Sequence, residues 1–282
     1  MIAFIPITTE LHFRFAAQFI APYETRCVVL ADMIRRRVRS LYIAVADGHC
    51  CAVIAAGLTI LHCIPCASSG TMDNSLLQDL QDALEQFLLQ KKIVCIHGEA
   101  AGNVLFIKAL SALGKMPLHT NAYQLMMRTS TTLVPVDIPM TARVQRAAIE
   151  DYKMLFPLQE AYLKEEVIPV CRTYNATAAR TEFVSLLKTR RIYMVTDNSG
   201  MPVAKGGIHA EGMNTVQIGG IYTIPTARRK QYATVLMMQL LADCMQHTKS
   251  PVLFVNKSNY AAQQLYAVCG FQAIGDYGIL YY

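Results

Sequence analysis

The sequence predicts an α/β (α+β) fold in two domains, each with a mixed sheet flanked by helices, and three observations carry the prediction. The chain has 282 residues, more than the roughly 100 to 200 of one domain. Apolar, β-branched runs alternate with runs of helical period in both halves, as in sheets covered by helices. The order of those runs in the second half repeats their order in the first. With 53% hydrophobic and 16% charged residues, either half holds enough apolar surface for a core, and disorder is not expected.

The first half opens on Met1-Ile2-Ala3-Phe4-Ile5-Pro6, which has neither a basic leader nor a small-residue cleavage site, so no secretory signal is expected and the location that follows is cytoplasmic. Nine cysteines are scattered and odd in number, which fits a reducing compartment better than a disulfide framework. Arg35, Arg36, Arg37 and Arg39 stand between a helical pattern and a strand. Cations there complement the negative end of a helix dipole, so the run reads as a solvated helix end, and no nucleic-acid partner is expected despite the net charge of +6.

Residues 50–67 are apolar enough to raise a membrane span, but they contain Gly57, His62 and Pro65, follow Asp47-Gly48 and lack basic flanks. Buried hairpin strands are the better reading, and no membrane is expected. Cys63-Ile64-Pro65-Cys66 is a solitary C-x-x-C without a second pair, so no metal site is expected. The half continues with a strand at 58–64, a helix at 76–89 whose Leu76, Leu77, Leu80, Leu84, Phe87 and Leu88 keep helical spacing, and a strand at 93–96. A helix at 103–113 ended by Gly114 and a strand holding 123–127 complete it.

A polar, β-branched segment with a proline, residues 129–137, is the expected join and divides the chain into domains 1–132 and 133–282. Beyond it the pattern gives a strand at 142–148, a helical region at 150–167 interrupted at Pro157 and stopped by Pro169, and a helix capped by Thr173 or Asn175 that runs to about Arg190. Strands at 192–196 and 202–210 flank the turn Asp197-Asn198-Ser199-Gly200. Then come a strand at 216–223, a helix at 233–246, a strand at 252–255, a helix at 259–269, Gly270 and a strand at 278–282. Ala109-Leu110-Ser111-Ala112-Leu113-Gly114 aligns with Leu265-Tyr266-Ala267-Val268-Cys269-Gly270 and sets the register of the repeat.

The most informative run is Gly219-Gly220-Ile221-Tyr222-Thr223-Ile224-Pro225-Thr226-Ala227-Arg228-Arg229-Lys230-Gln231-Tyr232-Ala233-Thr234, a strand, a basic turn and a helix start. Such a turn points unpaired amides outward at the positive end of a helix dipole, a cradle suited to a pyrophosphate. The run resembles the acyl-CoA signature of the GNAT superfamily of N-acyltransferases, Arg/Gln-x-x-Gly-x-Gly/Ala, with Arg228, Gln231 and Ala233 at its defining positions. Gln231 departs from the usual glycine and brings a Cβ to where the backbone approaches phosphate. A second segment is similar to that family's Asn-x-x-Ala-x-x-Leu-Tyr-x-x-x-Gly-Phe, here Asn259, Ala262, Leu265, Tyr266, Gly270 and Phe271.

The resemblance implies tandem GNAT-like domains, each a mixed, mostly antiparallel twisted sheet flanked by helices. The first is degenerate, because residues 66–74 between its strand and helix carry no basic residue. The second, 133–282, is then an N-acetyltransferase domain with acetyl-CoA as cosubstrate. By the same resemblance, the backbone of Ile221, Tyr222 and Thr223 pairs with the pantetheine arm, the turn and helix start Arg228, Arg229, Lys230, Gln231, Tyr232, Ala233 and Thr234 hold the pyrophosphate, and Asn259 caps its helix and touches the cofactor arm. Tyr266 gives the leaving thiolate its proton; as residues alone it reads equally as a core tyrosine. Glu166 is the expected base, with His209 as a rival. The implied reaction is acyl transfer from acetyl-CoA to an unidentified amine by direct attack; the alternative is a non-catalytic acyl-CoA-binding or scaffold protein.

Overall fold

The computed structural model describes residues 2–65, 74–129 and 142–282. The chain divides into two compact units, Met1–Leu125 with Ile274–Tyr282, and Met126–Ala273. The expected join at 129–137 lies almost wholly outside the described residues, as do Cys66 and the loop between the first half's expected strand and helix.

The first unit runs β1 (Ile2–Pro6), α1 (Glu10–Ile20), α2 (Val28–Arg35), β2 (Leu41–Ala46), β3 (His49–Ala56), β4 (Thr59–Cys63), α3 (Asn74–Leu88), β5 (Cys95–Glu99), α4 (Ala100–Ala112) and into β6 (His119–Arg128). β1 to β4 pair antiparallel in sequence order, and β4 pairs parallel with β5. The apolar stretch from Cys50 is therefore a hairpin, with Val53 opposite Cys63 and Ala56 opposite Ile60. The arginine cluster ends α2 as read from sequence: Arg35 and Arg36 bond to Asp32, and Arg37 pairs with Glu10 and covers the Phe13 ring. Two cores result. Phe13, Leu30, Ile34, Ile43 and Val53 pack with α1 and α2, whereas Leu80, Leu84, Leu88, Phe106 and Leu110 pack with Ile54, Ile60 and Ile96.

The second unit runs β7 (Arg143–Arg146), α5 (Tyr152–Tyr162), α6 (Ala176–Thr189), β8 (Arg191–Thr196), β9 (Pro202–Glu211), β10 (Thr215–Thr223), α7 (Tyr232–Gln246), β11 (Ser250–Asn256), α8 (Tyr260–Val268) and into β12 (Phe271–Tyr281). β7 to β10 are antiparallel neighbours, and β10 and β11 are parallel. One core joins Leu155, Phe156, Phe183, Leu187 and Met194 beneath α5 and α6. The other joins Ile218, Leu236, Leu240, Leu253, Tyr266 and Phe271 beneath α7 and α8. Asn175, not Thr173, caps α6, its Oδ1 accepting from the Ala178 amide at 3.0 Å.

The plan strand, helix, helix, three strands, helix, strand, helix, strand is thus traversed twice, with mostly antiparallel pairing. Gly114 and Gly270 follow the last helix of each traverse with φ of +72° and +84°. The strand expected at 278–282 as the close of the second half is longer, and its residues from Ile274 belong to the first unit. There Tyr277 to Tyr281 run antiparallel to Glu99 to Cys95 and complete the free side of β5. Backbone pairing decides that placement, and side-chain periodicity carries no record of it. Among the described residues no helix is long and apolar enough to cross a membrane.

Candidate functional site

The site in the second unit begins where β10 leaves β11. Their parallel register runs through Thr215–Ser250, Val216–Pro251 and Gln217–Val252, and among the described residues goes no further. On its other side β10 carries an extra residue. Gly219 faces Gly207 and Tyr222 faces Lys205, so Gly220 and Ile221 together oppose Gly206. This is a β-bulge, and Gly220 enters it at φ +64°. A side chain at Gly220 would also strike His209, whose Nε2 lies 2.9 Å from the position a Cβ would take. The Gly219-Gly220 pair therefore serves both bulge and ring, and from Ile218 to Thr223 the side of β10 that faces β11 has no strand partner among the described residues.

Beyond β10 the chain crosses a single 3-10 turn (Pro225–Ala227) to the basic residues and α7. No side chain caps α7 and no acidic residue lies in its first turn, so its leading amides keep their positive potential. Arg229 and Lys230 are exposed and make no ion pair among the described residues. Ala233 and Thr234 lie in the first turn, while the Tyr232 ring is buried in the core and offers the turn only its backbone. Arg229 and Gln231 both adopt left-handed backbone, with φ of +63° and +62°, the conformation for which glycine suits the signature. Gln231→Gly is accordingly expected to stabilise the chain by about 0.5–1 kcal/mol. A lower urea midpoint for the variant would contradict this reading of the turn.

Arg228 is engaged differently from its neighbours. Its Nε donates to the Thr223 carbonyl at 3.1 Å, and a terminal nitrogen donates to Glu165 Oε2 at 2.8 Å. Glu165 also accepts from the Tyr222 hydroxyl at 2.5 Å. Hydrogen bonds from Tyr222 and then Arg228 hold the Glu165 carboxyl below its usual range, whereas burial and that same bond push Tyr222 up to about 12.

Glu165 and Glu166 lie on a π-helical turn, Leu163–Val167, that extends α5. Both oxygens of Glu166 accept from Asn259 Nδ2 at 3.2 Å, while Asn259 Oδ1 caps α8 by accepting from the Ala262 amide at 3.0 Å. Two turns into α8, Tyr266 is buried and packs on Phe271 with ring centroids 6.1 Å apart. Its hydroxyl takes no hydrogen bond among the described residues. Burial first, then Tyr162 and Glu166 nearby, push its pKa up, so the phenol keeps its proton at neutral pH.

The structure thus gathers Tyr222, Arg228, Glu166, Asn259 and Tyr266 beside the stretch of β10, Ile221 and Thr223 included, that has left β11. His209, half-buried beneath the bulge, is pushed down to about 4, by burial first and Lys205 second, which leaves it neutral and weakly basic. Two members of the site were missed in the sequence. Tyr162 ends α5 against Tyr222, with ring centroids 6.4 Å apart. Lys205 is 2% exposed on β9, and among the described residues its only polar contact is a 2.9 Å hydrogen bond to the Gly220 carbonyl. A lone lysine between Val203-Ala204 and Gly206-Gly207-Ile208 was the available signal.

In the first unit Asn103 holds the place of Asn259 in the aligned register. It bonds to His62 at 2.9 Å, and the His62 ring stacks on Phe106 at 4.8 Å. His62 Nε2 stands 1.9 Å from where a Cβ on Gly98 would be, so the imidazole fills the space beside β4 and β5. Burial pushes it down to about 4, against the pull of the Asn103 bond.

Residues 154–271 match the model of the acetyltransferase (GNAT) family. Over 83 residues, 29% of the chain, it is 34% identical to a UPF0039 protein of Schizosaccharomyces pombe, and the match spans 55% of that relative's length. The chain spans about half the length of the curated relative it matches. The fold is similar to that of a Drosophila protein, with TM-score 0.68 and 10% identity over 99% of this chain and 98% of that one. It is also similar to a tandem GNAT protein from the clavulanic acid biosynthesis pathway, with TM-score 0.62 and 11% identity over 99% and 98%. At such identities the likeness is one of fold, and that fold is the tandem GNAT fold.

Proposed function

We propose that the second unit binds acyl-CoA, acetyl-CoA in the simplest case, and transfers the acyl group to an amine by direct attack. The parting of β10 from β11 after Gln217, beside an uncapped helix preceded by free cations, carries this reading. The pantetheine arm pairs with the free edge of Ile221, Tyr222 and Thr223 as an added strand. The pyrophosphate lies on the amides of residues 229–234, with Arg228, Arg229 and Lys230 supplying charge. Tyr266 protonates the departing thiolate. Glu166, bonded through both oxygens to Asn259, orients that residue and keeps Tyr266 protonated.

The first unit, its corresponding space taken by His62, serves as a degenerate partner domain without cofactor. The eight described cysteines are free thiols, which suits the cytoplasmic setting of this reading. Calorimetry on the full chain with CoA and acetyl-CoA tests the proposal, and an absence of binding would refute it. Gln231 at the signature's glycine position favours a second reading, a non-catalytic acyl-CoA-binding protein. Binding without thioester turnover across a broad panel of amines would select that second reading.

A further inference from the structure

The proposed reaction uses a protonated amine that must lose a proton before it attacks, and both carboxylates at the site already accept hydrogen bonds from neighbouring side chains. Glu165 is committed to Tyr222 and Arg228, and Glu166 to Asn259. Lys205 is placed differently. Its ammonium nitrogen is enclosed at the bulge, donating to the Gly220 carbonyl and standing 4.5 Å from the centroid of the Tyr162 ring. No carboxylate pairs with it among the described residues. Resting on the acyl-transfer reading, we propose that Lys205 is the proton acceptor for the incoming amine.

The surroundings of Nζ favour an uncharged amine. Tyr162 faces it from α5, Tyr222 stands opposite in register on β10, His209 shares its strand, and β8 presents Met194 in the facing position. Arg190, at the end of α6, acts on His209. None of these groups is an anion at neutral pH, and one carbonyl and one ring face repay little of the desolvation of a buried charge. Burial lowers Lys205 from 10.5 to about 7, within the range suited to a general base. The sign follows from linkage. The unfolded chain binds this proton more tightly, so the folding penalty is largest below about pH 7 and fades as pH rises towards 10.5.

In the step itself, the acceptor ammonium gives one proton to neutral Nζ, and the freed amine attacks the thioester carbonyl. A C–N bond forms and the C–S bond breaks. The amine's second proton stays in the site to replace the one that Tyr266 gives the thiolate. Lys205 returns its proton to solvent after product leaves.

The test uses the full chain in two measurements. The first is an NMR titration of labelled lysine side chains, with Lys205 assigned by its loss in Lys205→Met. The second follows thiol release from acetyl-CoA against pH, with water in the acceptor's place, alongside CoA affinity by calorimetry. Lys205 is expected to titrate near neutrality, and thiol release to fall as pH drops through that value. Lys205→Met and Lys205→Arg are both expected to lose at least about tenfold at neutral pH, and with it the acidic limb, while still binding CoA. A Lys205 that titrates with the other lysines overturns the proposal whatever the turnover. So does an Arg variant with full activity, which would make the residue a cation that holds an anionic substrate group. A wild type that does not bind CoA refutes the acyl-CoA reading and the inference with it, an outcome distinct from CoA bound beside a spectator lysine.

Discussion

Replacing Tyr266 by phenylalanine is expected to lower acyl transfer by about 10²-fold or more while CoA affinity stays near that of the wild type. The ring is buried in the core against Phe271, so phenylalanine preserves the packing and removes only the hydroxyl. A truncation to alanine would instead leave a cavity costing about 3–5 kcal/mol and confuse chemistry with stability. The hydroxyl is not used in holding the fold, since it bonds to nothing among the described residues. Its raised pKa, set by burial and by Tyr162 and Glu166, means that the proton is present when a thiolate forms beside it. The thiolate takes that proton as the amine's second proton replaces it on the phenol, so that no anion is left in the buried surroundings. Turnover unchanged in the Phe variant, with CoA still bound, would end the acid assignment and leave the thiolate to water.

Much of this site was legible in the sequence because its parts are local. A strand, a basic turn and a helix start are contiguous from Gly219 to Thr234, and Asn259 and Tyr266 lie on one short helix. Their conformations follow from nearby residues, such as the bulge at Gly220 and the cap at Asn259. What the sequence hid is set by tertiary contact. Glu165 meets Tyr222 across 57 positions and Glu166 meets Asn259 across 93, and the π turn that carries both carboxylates leaves no periodic trace. Lys205 looked like one more residue of an apolar strand until its neighbours closed over it. In the first unit β1 and α1 went unread, and the last strand of the chain was placed by order rather than by hydrogen bonding, which only pairing with β5 reveals.

Arg228→Glu is expected to weaken CoA binding by about 10²-fold, or about 2.7 kcal/mol, because it exchanges a charge-assisted contact with pyrophosphate for repulsion. The structure refines the expectation, since in the unliganded chain the guanidinium is held by the Thr223 carbonyl and by Glu165. Pyrophosphate must therefore compete with a carboxylate that its own hydrogen bonds keep ionised through the neutral range. Two consequences follow from that competition. Glu165→Gln removes the competing charge and should tighten CoA binding several-fold, an effect opposite in sign to that of Arg228→Glu. Raising salt should weaken wild-type binding more than binding to Arg228→Glu, because the Arg228 side chain is 47% exposed and its attraction to phosphate is screened. Acetyl-pantetheine, which shares the thioester arm and lacks the pyrophosphate, provides the control. Calorimetry should show it nearly indifferent to both substitutions. Equal losses for CoA and acetyl-pantetheine in Arg228→Glu would mean that the new carboxylate, set beside Glu165, disrupts the turn itself rather than removing a phosphate contact.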